Sequence, residues 1–177
     1  VRIVALGDSL TAGFGLRPNE AFPARLQAAL RAKGYAVTIA NAGVSGDTSA
    51  GALARVARSV PKGTDLVIVE LGANDILRGA SPTSMERNLD RILSQLRAGG
   101  SEVVLAGMIA PPGMGNGFSR SFDAVYERLA RKHSATLYPF FLKGVAGRRE
   151  LNLPDGIHPN AAGVQRIVDG ILPTMVR

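Results

Sequence analysis

Hydrophobic and polar positions along the chain fall into two alternating rhythms. Short, nearly unbroken apolar runs occur at Val1–Leu6, Val37–Asn41, Asp65–Leu71 and Glu102–Met108, rich in Val and Ile. Runs of this length and composition read as strands buried on both faces. Thr136–Tyr138 is a weaker fifth. Between the strands, apolar residues recur at helical spacing. Phe22–Lys33 opens with Pro23, suited to a first turn, and ends at Gly34. Ser49–Val60, Ser84–Ala98 (closed by Gly99-Gly100), Phe118–His133 and Asn160–Val176 follow, the last expected to break near Pro173.

Strands alternating with helices predict an α/β fold with a parallel sheet. The expected arrangement is a single domain, 1–177, with three α/β/α layers in a flavodoxin-like order and a mostly parallel central sheet of about five strands. Composition agrees, with 46% hydrophobic and 20% charged residues. No apolar run reaches the ~18 residues of a membrane span, so no stable membrane insertion is expected. With no cysteine, a disulfide framework, a Cys-based metal site and a thiol nucleophile are excluded. The chain begins at Val1 without an initiator Met and carries no information on a signal peptide.

The net charge is +7, and arginine dominates it. The arginines scatter: Arg25, Arg31, Arg55, Arg58, Arg87, Arg91, Arg97, Arg128 and Arg131 sit one or two per helical turn among Leu, Ala and Val. They read as solvated helix faces. With three Tyr and no Trp for base stacking, no nucleic-acid partner is expected.

Ligands of open α/β sheets bind beyond the carboxyl ends of the strands. Here the first strand runs into Gly7-Asp8-Ser9, the second into Asn41-Ala42-Gly43 and the third into Gly72-Ala73-Asn74-Asp75. A late loop, Leu153-Pro154-Asp155-Gly156-Ile157-His158-Pro159, adds an Asp and a His three residues apart. A serine hydroxyl becomes a nucleophile when a base takes its proton, and a carboxylate commonly orients that base. Of the two histidines, His133 ends a helix beside Arg131 and Lys132, where a cation complements the helix dipole. His158 follows Asp155 in a turn that can bring the carboxylate to Nδ1 and leave Nε2 facing outward. Acyl transfer also needs donors for an oxyanion, and the Ser9 N–H, the Gly43 N–H and the Asn74 amide are candidates. Each also reads plainly as a turn residue. The G-x-S-x-G nucleophile motif of α/β-hydrolases is missing, Gly43-Val44-Ser45-Gly46-Asp47 failing at Asp47.

Taken jointly, the blocks Gly7-Asp8-Ser9-Leu10-Thr11, Gly43, Asn74 and Asp155-Gly156-Ile157-His158-Pro159 resemble the SGNH (GDSL-type) hydrolases over essentially the whole chain. Within that superfamily the likeness is to the bacterial thioesterase I, lysophospholipase and arylesterase branch. The resemblance implies Ser9 as nucleophile, His158 as general base and Asp155 as its orienting carboxylate. It implies Ser9, Gly43 and Asn74 as the oxyanion hole, no metal and no cofactor. Asp8 and Asp75 then read as structural.

The implied substrate is a small ester or thioester, with short- to medium-chain acyl and aryl esters and lysophospholipids in range. Ile76–Pro82 and Met108–Ser121 are expected to wall the acyl site, with Ile76, Leu77, Ile109, Pro111 and Ile157 as contacts and Phe140 or Phe141 adding to them. By resemblance alone the location is periplasmic or secreted. The alternatives are an acetyl-sugar esterase with the same residues, a catalytically silent binding module and a flavodoxin-like flavin or phosphate binder. Asp8, a carboxylate where phosphate would sit, argues against the last.

Overall fold

The computed structural model describes residues 1–176. Its five strands are β1 (Arg2–Gly7), β2 (Thr38–Gly43), β3 (Leu66–Glu70), β4 (Glu102–Ala106) and β5 (Thr136–Tyr138), paired in parallel in the order β2-β1-β3-β4-β5. The helices are α1 (Ser9–Ala12), α2 (Phe22–Ala32), α3 (Ser49–Ser59), α4 (Ala73–Leu77), α5 (Pro82–Ala98), α6 (Asn116–Lys132) and α7 (Ala161–Met175).

Right-handed crossovers put α2 on one face of the sheet and α3, α5 and α6 on the other. Helix α7 returns to pack on α2. The chain moves outward from β1 to β2 and then back across to β3, so strand order reverses beside β1. A crevice therefore opens where the carboxyl ends of β1 and β3 diverge.

The central strands are apolar on both sides because helices cover both. Val4, Ala5, Leu6, Val67, Ile68, Val69, Val104 and Leu105 are buried, against Leu26 and Ile167 on one face and Leu89, Ile92 and Val125 on the other. Each such Val, Leu or Ile contributes roughly 1.5–3 kcal/mol relative to an exposed one. Strand β2 departs from the expectation of two buried faces. It is the sheet edge, and of its six residues only Ile39 is buried.

Two helix ends also differ from expectation, for local reasons. Helix α5 starts at Pro82 because Ser81 caps it, its hydroxyl accepting from the Ser84 N–H at 3.1 Å. Pro173 does not break α7. It lies in the final turn, where one lost N–H matters little, and the Val176 N–H still reaches the Leu172 carbonyl at 3.2 Å.

Candidate active site

The last row of the sheet runs in register across all five strands as Gly43, Gly7, Glu70, Ala106 and Tyr138. Just past it, at the crevice, the predicted residues gather. Asp8 caps α1, its Oδ1 accepting from the Leu10 N–H at 3.0 Å. This cap turns the chain sharply enough to bring Ser9 to the surface at the start of the helix, half-buried. The Ser9 N–H meets no acceptor among the described residues.

Ser9 Oγ lies 3.1 Å from His158 Nε2, and His158 Nδ1 lies 2.6 Å from Asp155 Oδ2. The other Asp155 oxygen accepts from the backbone N–H groups of Ile157 at 2.8 Å and His158 at 3.0 Å. The Asp155 carboxylate is thus held by its own loop and in turn holds the His158 imidazole through Nδ1. The His158 hydrogen bond, followed by those two N–H groups, lowers its pKa to about 2. The loop is closed by a bridge between Asn152 and Pro159 and by the Leu153 N–H to the His158 carbonyl at 2.7 Å.

Gly43 packs against the turn that carries Ser9. A Cβ there would strike the Ala12 backbone nitrogen and lie 2.9 Å from the Asp8 carbonyl oxygen. Its N–H donates to Asn41 Oδ1 at 2.9 Å, so this candidate donor already has an acceptor. Asn74 Nδ2 donates to the Asp47 carbonyl at 2.9 Å and lies 3.5 Å from Asp8 Oδ2. That second, long contact leaves one amide hydrogen weakly engaged. Asp75 is structural, as expected: it is buried and accepts from Ser49 N–H at 2.9 Å and from Ser49 Oγ–H at 2.6 Å.

Two residues escaped the sequence reading. Phe14 stacks on the His158 ring, with centroids 4.3 Å apart. Arg55, read as part of a solvated helix face, is buried. Its guanidinium donates to Asp47 Oδ2 at 2.7 Å and, at 3.0 Å each, to the Gly7 carbonyl, the Ala42 carbonyl and the Ser59 hydroxyl. It ties the ends of β1 and β2 to the loop whose Asp47 carbonyl receives Asn74.

The expected apolar walls divide. Leu77, Ile109 and Ile157 are 74%, 51% and 63% exposed, and Pro111 is exposed as well. Ile76 instead packs against the core. Phe141 is fully buried edge-on to Phe22 in the core and so walls no open site. Within Met108–Ser121, Met108 and Ala110 are buried and helix α6 already begins at Asn116. His133 ends α6, and its Nε2 lies 2.6 Å from Asp90 Oδ1 on α5, away from the crevice.

Comparisons with known proteins point to one family of hydrolases. Esterase TesA of Pseudomonas aeruginosa is 39% identical over 174 residues, covering 98% of this chain and 87% of that protein. The thioesterase 1/protease 1/lysophospholipase L1 of Escherichia coli K12 is 36% identical, covering 94% of this chain and 79% of its own. The structure of the psychrotrophic esterase EstA from Pseudoalteromonas sp., inhibited by monoethylphosphonate, superposes with a TM-score of 0.92 at 31% identity, over 99% of this chain and 96% of that one. The model of the GDSL-like lipase/acylhydrolase family matches residues 5–166, and the chain belongs to that family.

Proposed function

We propose that this chain is a serine esterase in which Ser9 attacks an ester or thioester carbonyl, His158 takes the Ser9 proton and Asp155 fixes the imidazole. The observation that carries this reading is the unbroken line Ser9 Oγ, His158 Nε2, His158 Nδ1, Asp155 Oδ2 at the rim of the crevice. With Asp155 ionised, Nδ1 keeps its hydrogen and Nε2 is left as the base. After attack, His158 gives the proton to the leaving group, and water activated the same way hydrolyses the acyl-enzyme.

The developing oxyanion meets the free Ser9 N–H directly. The weakly engaged Asn74 hydrogen is a second donor. Gly43 becomes a third when the oxyanion displaces the Asn41 side chain. Asn74→Ala is the graded test of this assignment, expected to cost roughly 2.7–4 kcal/mol of barrier. An unchanged kcat in that variant removes Asn74 from the mechanism.

The substrate class follows from the rim. Leu77, Ile109 and Ile157 offer exposed apolar contact without enclosure, which suits short to medium acyl chains and aryl groups. The names of the relatives add thioesters and lysophospholipids to the range. The scattered surface cations, among them Arg128 on Glu86 and Lys132 on Asp90, support a small-molecule substrate over a nucleic acid. No helix among the described residues is long and apolar enough to cross a membrane, and the resemblance supports a periplasmic or secreted site of action for one domain spanning 1–177.

Hydrolysis of p-nitrophenyl esters from acetate to palmitate, by the wild type and Ser9→Ala, tests the reading. The serine variant should lose on the order of 10⁶ in kcat. A profile confined to acetate favours the acetyl-sugar esterase alternative. Equal rates in both proteins overturn the serine mechanism.

A further inference from the structure

Glu70 ends β3 with its side chain sealed from solvent. Its register neighbour on β1 is Gly7, and the missing side chain is what makes room for the carboxyl. A Cβ on Gly7 would lie 2.7 Å from Glu70 Oε1 and would collide with Thr11 Oγ1. Within that space Thr11 Oγ1 donates to Oε1 at 2.7 Å. Glu70 Oε2, equally buried, has no hydrogen-bond partner.

A buried carboxylate oxygen without a donor is costly, and a buried charge without a cation more so. The group beside Glu70 offers no cation. It is Asp8, also buried and next in the chain to Gly7, the register partner of Glu70, and its charge bears on the Glu70 carboxyl. Two adjacent buried carboxylates cannot both stay ionised, but one proton held between them satisfies both. Geometry says which residue carries it. Asp8 faces donors, the Leu10 N–H and the Asn74 amide, and is set up as an acceptor. Glu70 Oε2 faces none and is free to be the donor. Burial, reinforced by the Asp8 charge, pushes the Glu70 carboxyl well above the usual carboxylate range.

We propose that Glu70 is a neutral carboxylic acid whose Oε2–H donates to the Asp8 carboxylate, and that it is a positioning residue for the Ser9 turn. Through that proton it fixes Asp8, and Asp8 in turn fixes the first turn of α1 and the Asn74 amide. The positioning half rests on the esterase reading above, whereas the shared proton does not.

Infrared spectroscopy of the intact protein at neutral pH tests the proton without reference to activity. The wild type should show the carbonyl stretch of a protonated carboxylic acid, retained in Asp8→Asn and lost in Glu70→Gln. Absence of that band from the wild type, or its survival in Glu70→Gln, overturns the proposal even if the esterase reading stands.

Kinetics tests the positioning. Glu70→Ala should lower kcat on the order of 100-fold with KM little moved, because a small misplacement of reacting groups is enough for a loss of that size. Glu70→Gln, whose amide can both donate to Asp8 and accept from Thr11, should restore most of it. Should Gln prove as impaired as Ala while both variants fold, a shared proton is not what Glu70 supplies. Wild-type kcat in Glu70→Ala equally ends the positioning role.

Discussion

The Phe14 ring lies 4.3 Å from the His158 imidazole, centroid to centroid, with the planes tilted by 34°. His158 otherwise stands on a loop with about a fifth of its side chain exposed. The phenyl face limits how far the ring can swing from Ser9. Phe14→Ala should lower kcat/KM by about 2- to 13-fold, the equivalent of the roughly 0.5–1.5 kcal/mol of such a pair. Steady-state kinetics on one ester decides it, and an unchanged value means that the His158 loop needs no such support.

Arg55 predicts a stability loss rather than a purely kinetic one. Its pair with Asp47 is nearly dry, with side chains 9% and 11% exposed. Removing the guanidinium strands the Asp47 carboxylate and takes a donor from three other oxygens, so Arg55→Ala should cost about 3–5 kcal/mol by urea unfolding. Arg55→Lys should recover only part, since an ammonium cannot serve four acceptors in a planar fork. Full recovery with lysine would reduce the role of Arg55 to charge alone.

Gly43 tests the packing of β2 on α1. The methyl of Gly43→Ala meets backbone at Ala12 and Asp8, which cannot rotate away. The strand or the helix must shift, at about 1–3 kcal/mol. Thermal melts should show the loss, and activity should fall more steeply than stability because the displaced turn carries Ser9. A variant with normal melting and normal rates would mean that the turn relaxes freely.

Asp155 predicts a pH effect of known sign. Its pKa is about 2 in the fold against an ordinary 3.8, so between these values the unfolded chain binds the proton more readily. Stability therefore rises with pH through this interval, is fully present above about pH 5 and is lost as pH falls through the folded value. Urea midpoints of the wild type and Asp155→Asn should converge as pH is lowered from about 5 to 2. A constant gap would assign the acid sensitivity to other carboxylates.

The strands that sequence periodicity found most sharply, β1, β3 and β4, are those with helices on both faces, where an unbroken apolar run is the only pattern that fits. Edge position depends on which strands pair, which is why β2 was expected to be buried. The residues at strand ends were legible because a parallel sheet sends every such loop to one side. Contacts made across the fold were not. Arg55 has the spacing of a surface arginine, and nothing local says that its face meets the ends of two strands. Phe14 and His158 are far apart in the chain, and Glu70 looks like the polar end of an apolar run until Gly7 is seen beside it.

The parallel sheet also separates the molecule into a chemical end and a handling end. Lys33, Lys62 and Lys132, three of the chain's four lysines, lie on segments that lead into the amino ends of β2, β3 and β5, opposite the crevice, and are exposed. Amine-reactive coupling to a solid support would therefore attach the protein mainly from behind. Most immobilised molecules would present the Ser9 crevice to the solution, an orientation that immobilised catalysts ordinarily need engineered tags to achieve.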